Sequence, residues 1–414
     1  MKKLIFLLIS LFWIGCNSTP KDSEPKTRIP AEFEAQESIW LGFRTYEEND
    51  PSDSVTLEII KEIHPYVKLN LIVEHDTLAK DIKKEFSKLD IDTSNISIII
   101  QSPTDIWYRD PGPIFAISSK NELAVIDFKY TNYSNVPPDS IGDKAKAHEG
   151  IDRDIARRLK LDTINSIVAI EGGAFETDGK GTLIQVEDIT LKRNPHLSRK
   201  EIEEDLAKCC GIEKIIWLPS GVADDPHNFD RIHENIFGFA TGGHTDEFVR
   251  FANDSTIIVS WIDEAEIDQH PINKLNYEIL SKNFEILSNA TNKEGKKYNV
   301  IKVPHPDPQT EEMVITPDWF YSEQWSKRLK KFDIKANDTI YWATASSYMN
   351  YLITNDIIII PQYGINKSKD FKVKKIFESL YPKRKIIGLN PISFNFGGGG
   401  MHCRYQTQPK IEQY

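Results

Sequence analysis

One pattern recurs along the chain and restricts its fold more than any other: a motif segment, a turn rich in Asn, Asp or Gly, and an apolar strand. It runs from Ile114 to Asp127 around Asn121, and from Gly173 to Val186 around Asp178-Gly179. It returns from His244 to Trp261 around Asn253-Asp254, and from Asn350 to Pro361 around Asn355-Asp356. The turn chemistry predicts a β-hairpin at each. Helices intervene. Val55, Ile59, Ile60 and Ile63 mark a helical face between Pro51 and Val67, and Leu78, Ile82 and Phe86 mark another. Lys68–Val73 and Ile96–Ile100 read as strands. Hairpins and helices recurring at irregular intervals of roughly 50 to 100 residues indicate a diverged internal repeat in an α/β chain, not a uniform solenoid. The sequence does not count the units.

A second feature concerns chemistry. Phe394-Asn395-Phe396 is followed by four glycines, then Met401-His402-Cys403. Glycines in a row let the backbone adopt dihedrals closed to other residues, or let a ligand approach it closely. A thiol directly after them reads as a cysteine presented to a site, although free cysteine is also among the most buried residue types. Two acidic segments upstream favour the nucleophile. One is Trp107-Tyr108-Arg109-Asp110-Pro111-Gly112-Pro113, the other Gly242-Gly243-His244-Thr245-Asp246. A reactive cysteine needs a base or cation nearby. His244 and Asp246, placed on a strand, would share a face, so that Asp246 orients the imidazole. Asp110 and Asp246 can also bracket a planar cation such as a guanidinium, accepting its forked hydrogen bonds. The plainer account of Asp110 is an ion pair with Arg109.

These residues carry a resemblance. The chain is similar to the agmatine deiminase and bacterial-type peptidyl-arginine deiminase family, within the guanidine-modifying superfamily. The matching blocks, from near residue 29 to near 409, are Ile29-Pro30-Ala31-Glu32-Phe33-Glu34 with Trp40-Leu41, then Trp107-x-Arg109-Asp110-x-Gly112-Pro113. Glu171-Gly172-Gly173, Asp178-Gly179-Lys180-Gly181-Thr182 and Arg193-Asn194-Pro195 follow. Gly243-His244-x-Asp246 with Arg250-Phe251, Ser347-Tyr348-x-Asn350-Tyr351 and the glycine run through His402-Cys403 to Gln406-x-Gln408-Pro409 complete the order. The resemblance implies a five-bladed, pseudo-symmetric α/β propeller of ββαβ units with the site at its centre.

It also implies a mechanism. Asp110 and Asp246 hold the guanidinium, Cys403 attacks its carbon, and His244 protonates the departing ammonia and then activates water. Trp107 forms an aromatic wall, Glu171 is a supporting acid, and Asn350 lines the site. No cofactor or metal is called for, and no Cys-x-x-Cys or His-x-x-x-His spacing suggests zinc. The expected reaction is agmatine plus water to N-carbamoylputrescine plus ammonia. Deimination of free or peptidyl arginine is the alternative, and capture of guanidino compounds without turnover is a more distant one. The sequence departs from the family at Glu176, often histidine, and at Arg404-Tyr405, often an Ile-Thr-like pair. The segment Lys129-Tyr130-Thr131-Asn132-Tyr133-Ser134 lacks the two arginines that peptidyl-arginine deiminases use to hold a carboxylate, which favours agmatine. Arg44 is another residue that could meet a carboxylate.

Composition and the first residues address the setting. A formal net charge of -11 over 414 residues argues against a nucleic-acid partner and suits a small cationic substrate. Lys2-Lys3, the apolar run Leu4 to Ile14 and Gly15-Cys16 resemble a lipoprotein signal, with Cys16 as the lipidated residue. The run is shorter than the ~20 residues a spanning helix needs. The expected organisation is a signal over 1–16, a polar tether over 17–29 and a catalytic domain over 30–414, in an exported protein touching membrane only through its lipid. Cys209-Cys210 could bridge only with strain, so no disulfide framework is expected.

Overall fold

The computed structural model describes residues 27–43 and 51–411. Cys16 and Arg44, with the expected signal and most of the tether, lie outside them. The chain is a mixed α/β fold of several small sheets. Four sheets repeat one plan: an antiparallel hairpin, a helical crossover, and a third strand parallel to the second. In the first, Ile114–Ile117 pairs with Leu123–Asp127, and Asp162–Asn165 returns beside it after the helices Asp143–Glu149 and Ile151–Leu159. The second comprises Phe175–Thr177, Thr182–Val186 and Lys214–Leu218. The third comprises Val249–Asn253, Thr256–Trp261 and Asn299–Pro304. The fourth comprises Leu352–Ile353, Ile357–Pro361 and Lys385–Leu389.

A fifth sheet follows the plan with the chain ends joined. The C-terminal strand Tyr405–Pro409 lies antiparallel to Gln36–Phe43, which pairs in parallel with Lys68–Val73, and that strand with Ile96–Ile100. Local sequence explains these elements. Asn121 takes a left-handed φ of 61° in the first hairpin turn, and Gly179 takes 73° in the second. The helix Arg199–Cys210 opens on a reciprocal Ser198–Glu201 capping box and closes on Gly211 in the left-handed region. Central strands buried on both faces read as continuous apolar runs, as in Ile357-Ile358-Ile359-Ile360. Each fully buried isoleucine there contributes on the order of 2 kcal/mol before conformational entropy is set against it.

A sixth sheet was not expected. Asn228–His233, Ile236–Ala240, Thr339–Ala343 and Thr310–Val314 form it, and the helix Glu323–Lys331 packs beside it through Trp325 and Leu329. Its outer strands, Asn-Phe-Asp-Arg-Ile-His and Thr-Glu-Glu-Met-Val, show little apolar alternation. They are held by an aromatic cluster including Phe229, Phe237, Trp325 and Trp342. Burial of dispersed aromatic residues leaves no period in the sequence to read. No described helix is long and apolar enough to cross a membrane.

Candidate active site

The motif residues come together because each stands just before the first strand of its sheet's hairpin. Trp107 and Asp110 precede Ile114–Ile117, Glu171 precedes Phe175–Thr177, His244 and Asp246 precede Val249–Asn253, Asn350 precedes Leu352–Ile353, and Cys403 precedes Tyr405–Pro409. Five sheets thus each deliver one loop to a common centre. Gly173 marks its crowding. A Cβ there would lie 2.7 Å from His244 Nδ1, 3.0 Å from Asp246 Oδ2 and 3.2 Å from Asp110 Oδ1. Glycine at this position is what allows the three side chains to converge.

Cys403 is 3% exposed. Asn350 Nδ2 donates to its sulfur at 3.2 Å and the Gly400 N–H approaches at 3.5 Å. Oδ2 of Asp246 and Oε1 of Glu247 each lie 3.8 Å from it. The glycine run permits this packing, since a Cβ on Gly399 would sit 2.8 Å from the Trp107 ring and 3.1 Å from the sulfur. A cavity of about 640 Å³ opens over Cys403, with Trp107, Asp110 and Tyr133 in its wall. His244, Asp246 and Glu171 are buried behind that wall.

Asp110 accepts from the Gly173 N–H at 3.0 Å and from the Tyr133 hydroxyl at 2.7 Å. Arg109 does not pair with it; the guanidinium binds Glu32 and Gln406 instead. His244 departs from its expected setting. It caps the short 3-10 turn Thr245–Glu247 and does not share a strand face with Asp246. Its nearest carboxylates are Glu171, 3.6 Å from Nε2, and Asp110, 3.9 Å from Nδ1. Asp246 serves another imidazole, with Oδ2 2.6 Å from Nδ1 of His402. Orientation of His244 therefore falls to Glu171, which Arg193 holds from behind at 2.6 Å. Like His244 and Asp246, Glu171 is buried behind the cavity wall, and its side chain meets His244 and Arg193.

The charges follow from this arrangement. Burial pushes the Asp110 carboxyl up to about 6, with Asp246 adding to the rise and His244 opposing it. Burial acts to lower the His244 pKa, yet the Asp110 and Glu171 carboxylates raise it to about 9, so the ring is an imidazolium at neutral pH. Burial also raises Glu171, but Arg193 and His244 hold it at about 2. Cys403 is pushed well up by burial and by Asp246, Glu247 and Asp110, so the free thiol keeps its proton. His244 and Asp246 do not favour the thiolate as expected, because carboxylates dominate the surroundings of the sulfur.

Both ring nitrogens of His244 and Oδ1 of Asp246 are buried without a hydrogen-bond partner among the described residues. The unsatisfied Asp246 oxygen suits a ligand that brings donors and positive charge, while the two N–H groups of the His244 imidazolium call for an acceptor. Asp246, Glu247 and Cys403 place donor atoms within 4.8 Å of one another. That set could draw a metal cation as well as an organic one.

Several residues here escaped the sequence reading. Glu247 neighbours Asp246, and His402 neighbours Cys403. Glu32, Arg109, Glu176 and Arg250 join His402 in a buried charged layer, with Arg250 2.6 Å from Glu32 and 2.5 Å from Glu176. Glu32, Arg109, Arg250 and His402 stand inside the quoted motif blocks, but nothing in the linear order assigned them to one charged layer. The Asp225 carboxylate accepts the N–H groups of Thr241, Gly242, Gly243 and His244 at 2.7 to 3.1 Å, and nothing local in the sequence marked it.

The family model of Porphyromonas-type peptidyl-arginine deiminases matches residues 28–409. The chain belongs to that family. Among its relatives, the agmatine deiminase of Pseudomonas syringae pv. tomato is 27% identical over 411 residues, covering 95% of this chain and 98% of the relative. A structure of the Enterococcus faecalis agmatine deiminase superposes with a TM-score of 0.71 at 24% identity, over 94% of this chain and 97% of that one. A substrate-bound structure of a C. jejuni agmatine deiminase variant gives 0.68 at 21%, over 98% and 100%. Members of this family are hydrolases of guanidino C–N bonds, and the chain is an enzyme of that class.

Proposed function

We propose that the protein deiminates a guanidino substrate through a covalent intermediate on Cys403, and that its five hairpin sheets stand around the site as the blades of a pseudo-fivefold propeller. The observation that carries the reading is the convergence of two carboxylates and an imidazolium beside Gly173, with the buried Cys403 sulfur 3.8 Å from one of those carboxylates. A guanidinium entering there would pair with Asp110 and Asp246 and supply a donor to the Asp246 oxygen that has none. Its charge would also offset the carboxylates that raise the Cys403 thiol, so that the thiol proton passes to solvent through the cavity as the guanidinium binds. The thiolate attacks the central carbon, forming the C–S bond of a tetrahedral adduct. His244 gives its proton to one amino group, which leaves as ammonia, and an S-alkylthiouronium remains. The neutral His244 then takes a proton from water, whose oxygen adds to the same carbon. The C–S bond breaks, and the products are a ureido compound, ammonia and the regenerated thiol.

The names of the relatives favour agmatine and N-carbamoylputrescine, and the family description favours arginine in peptides. All share the guanidinium that the floor of the site fits. An amidinotransferase would use the same thiol but pass the carbon to an amine. Incubating the enzyme with agmatine, arginine and arginine peptides, while assaying ammonia and ureido product together, tests the proposal. Equal release of both supports hydrolysis. Binding of any of these without either product would leave a guanidino-binding protein.

A further inference from the structure

Glu247 stands beside the reacting sulfur, and the attack and hydrolysis steps make no use of it. It ends the 3-10 turn Thr245–Glu247 and is 3% exposed. Its main chain is pinned where the Ser347 hydroxyl donates to its carbonyl at 2.5 Å. Oε1 of its side chain lies 3.8 Å from Sγ of Cys403. The Asn350 amide joins the two, since Nδ2 donates to that oxygen at 2.7 Å and to the sulfur at 3.2 Å. An amide nitrogen carries two N–H groups, so both bonds stand at once. The amide is fixed from its other end, where Oδ1 accepts the His402 N–H at 2.7 Å.

The other acids around the sulfur have imidazole partners. Asp246 meets His402, and Asp110 faces His244. Glu247 is different: among the described residues no lysine, arginine or histidine pairs with it. Burial pushes its carboxyl well above the ordinary range, and Asp246, Asp225 and Asp224 add to the rise. Tyr363 also faces it, and burial keeps that phenol protonated. Asp246, Glu247 and Cys403 place polar atoms within 4.8 Å of one another, and so many like charges cannot share one dry space. Cys403 and Glu247 thus titrate as a pair, each raising the other when it ionises first. The direction of their contact follows. A thiol can donate to Oε1, but a thiolate has no proton to give, so the contact survives ionisation of the sulfur only if Glu247 donates. A carboxyl kept neutral by its surroundings can serve as such a donor.

We propose that Glu247 is a further catalytic residue of this reaction, whose carboxyl O–H donates to the Cys403 sulfur as the thiolate forms, alongside the Asn350 N–H. The proposal rests on the deimination reading above and adds a residue to it. The thiol proton leaves through the cavity when the guanidinium binds, and Glu247 keeps its own. The sulfur then enters the attack held by two donors, with no carboxylate charge at Glu247 to oppose it. The same donors receive the sulfur when the C–S bond breaks and it departs as a thiolate.

The test compares Glu247→Gln, whose amide offers a donor and an acceptor but cannot ionise, with Glu247→Leu, which offers neither. One readout is kcat for ammonia release. The other is the rate of Cys403 alkylation by iodoacetamide at neutral pH, followed by mass spectrometry of the peptide that carries it. Glu247→Gln should stay close to the parent in both. Glu247→Leu should lower kcat by on the order of tenfold to a hundredfold, as loss of a hydrogen bond to a charged group does, and should slow alkylation by a similar factor. Faster alkylation in either variant would show that an anion had been removed, and would overturn the proposal. So would a Gln variant as impaired as the Leu variant, or a Leu variant equal to the parent in both readouts. Glu247→Ala takes the place of Glu247→Leu if the latter does not unfold cooperatively. Alkylation needs no turnover. Failure to form ureido product would therefore sink the reaction, while the alkylation rates still decide whether Glu247 donates to the sulfur.

Discussion

A thiol surrounded by carboxylates is a poor nucleophile until a cation arrives, and Cys403 is such a thiol. Cys403→Ser should abolish turnover, since a serine hydroxyl is not ionised at neutral pH, while thermal unfolding stays cooperative. Trapping with a slow substrate should place the adduct on Cys403, as read by mass spectrometry; an adduct confined to Cys209 or Cys210 would remove the assignment. Asp110→Asn and Asp246→Asn keep size and remove a partner of the cation. Breaking one side of a buried pair costs about 3–5 kcal/mol, so kcat/KM should fall at least about a hundredfold. Near-parent kinetics in both would end the clamp role. The pH dependence follows from the same groups. Below about 6 Asp110 takes up a proton and cannot pair with the guanidinium. Above about 9 His244 loses the proton it donates to ammonia. A bell with limbs near those values is expected in kcat/KM, and a profile flat through both contradicts the two roles.

The element that matters most is the loop before each hairpin. A strand holds its own backbone through its neighbours, whereas these loops depend on side chains. Asp225 braces the His244 loop by accepting four consecutive N–H groups. Asp225→Ala would leave buried donors unpaired and should cost at least about 2 kcal/mol, measured by denaturant unfolding. A variant as stable as the parent would show that the loop is held otherwise. Glu171 braces the imidazole itself. The folded His244 pKa lies near 9, above its ordinary 6.5, so the pairing contributes stability in full below about 6.5 and loses it as pH rises through about 9. Glu171→Gln removes one of the three carboxylates, with Asp110 and Asp246, that raise it. The alkaline limb of activity should then move to lower pH, and an unmoved limb would assign that limb to another group.

At the scale of the molecule, the C-terminal strand closes onto the first described strand. Cys403 is thus fixed by pairing between residues 36–41 and 405–409, and Tyr405 ties the same segment to Ile353. The described fold begins at residue 27, and the proposed lipid attachment at Cys16 lies upstream of it. Replacing Cys16 should move the protein from the membrane fraction to the soluble one with kcat/KM unchanged. Retention in membranes would show that lipid at Cys16 is not the anchor. The proposed export would bring the enzyme guanidines from outside the cell.

By itself the sequence determined the hairpins, whose turns need Asn121 and Gly179 in left-handed conformations, and the glycine-flanked identities of Cys403, His244, Asp110 and Asp246. Those signals are local, because backbone dihedrals and strand periodicity are set within a few residues. The partners of those groups were decided only by tertiary structure. Asp246 lies two residues from His244 yet pairs with His402, from a strand end 156 positions away, and His244 is held by Glu171 from another sheet. Charge pairing depends on distance in space and on burial, and a linear order of residues specifies neither until the sheets assemble.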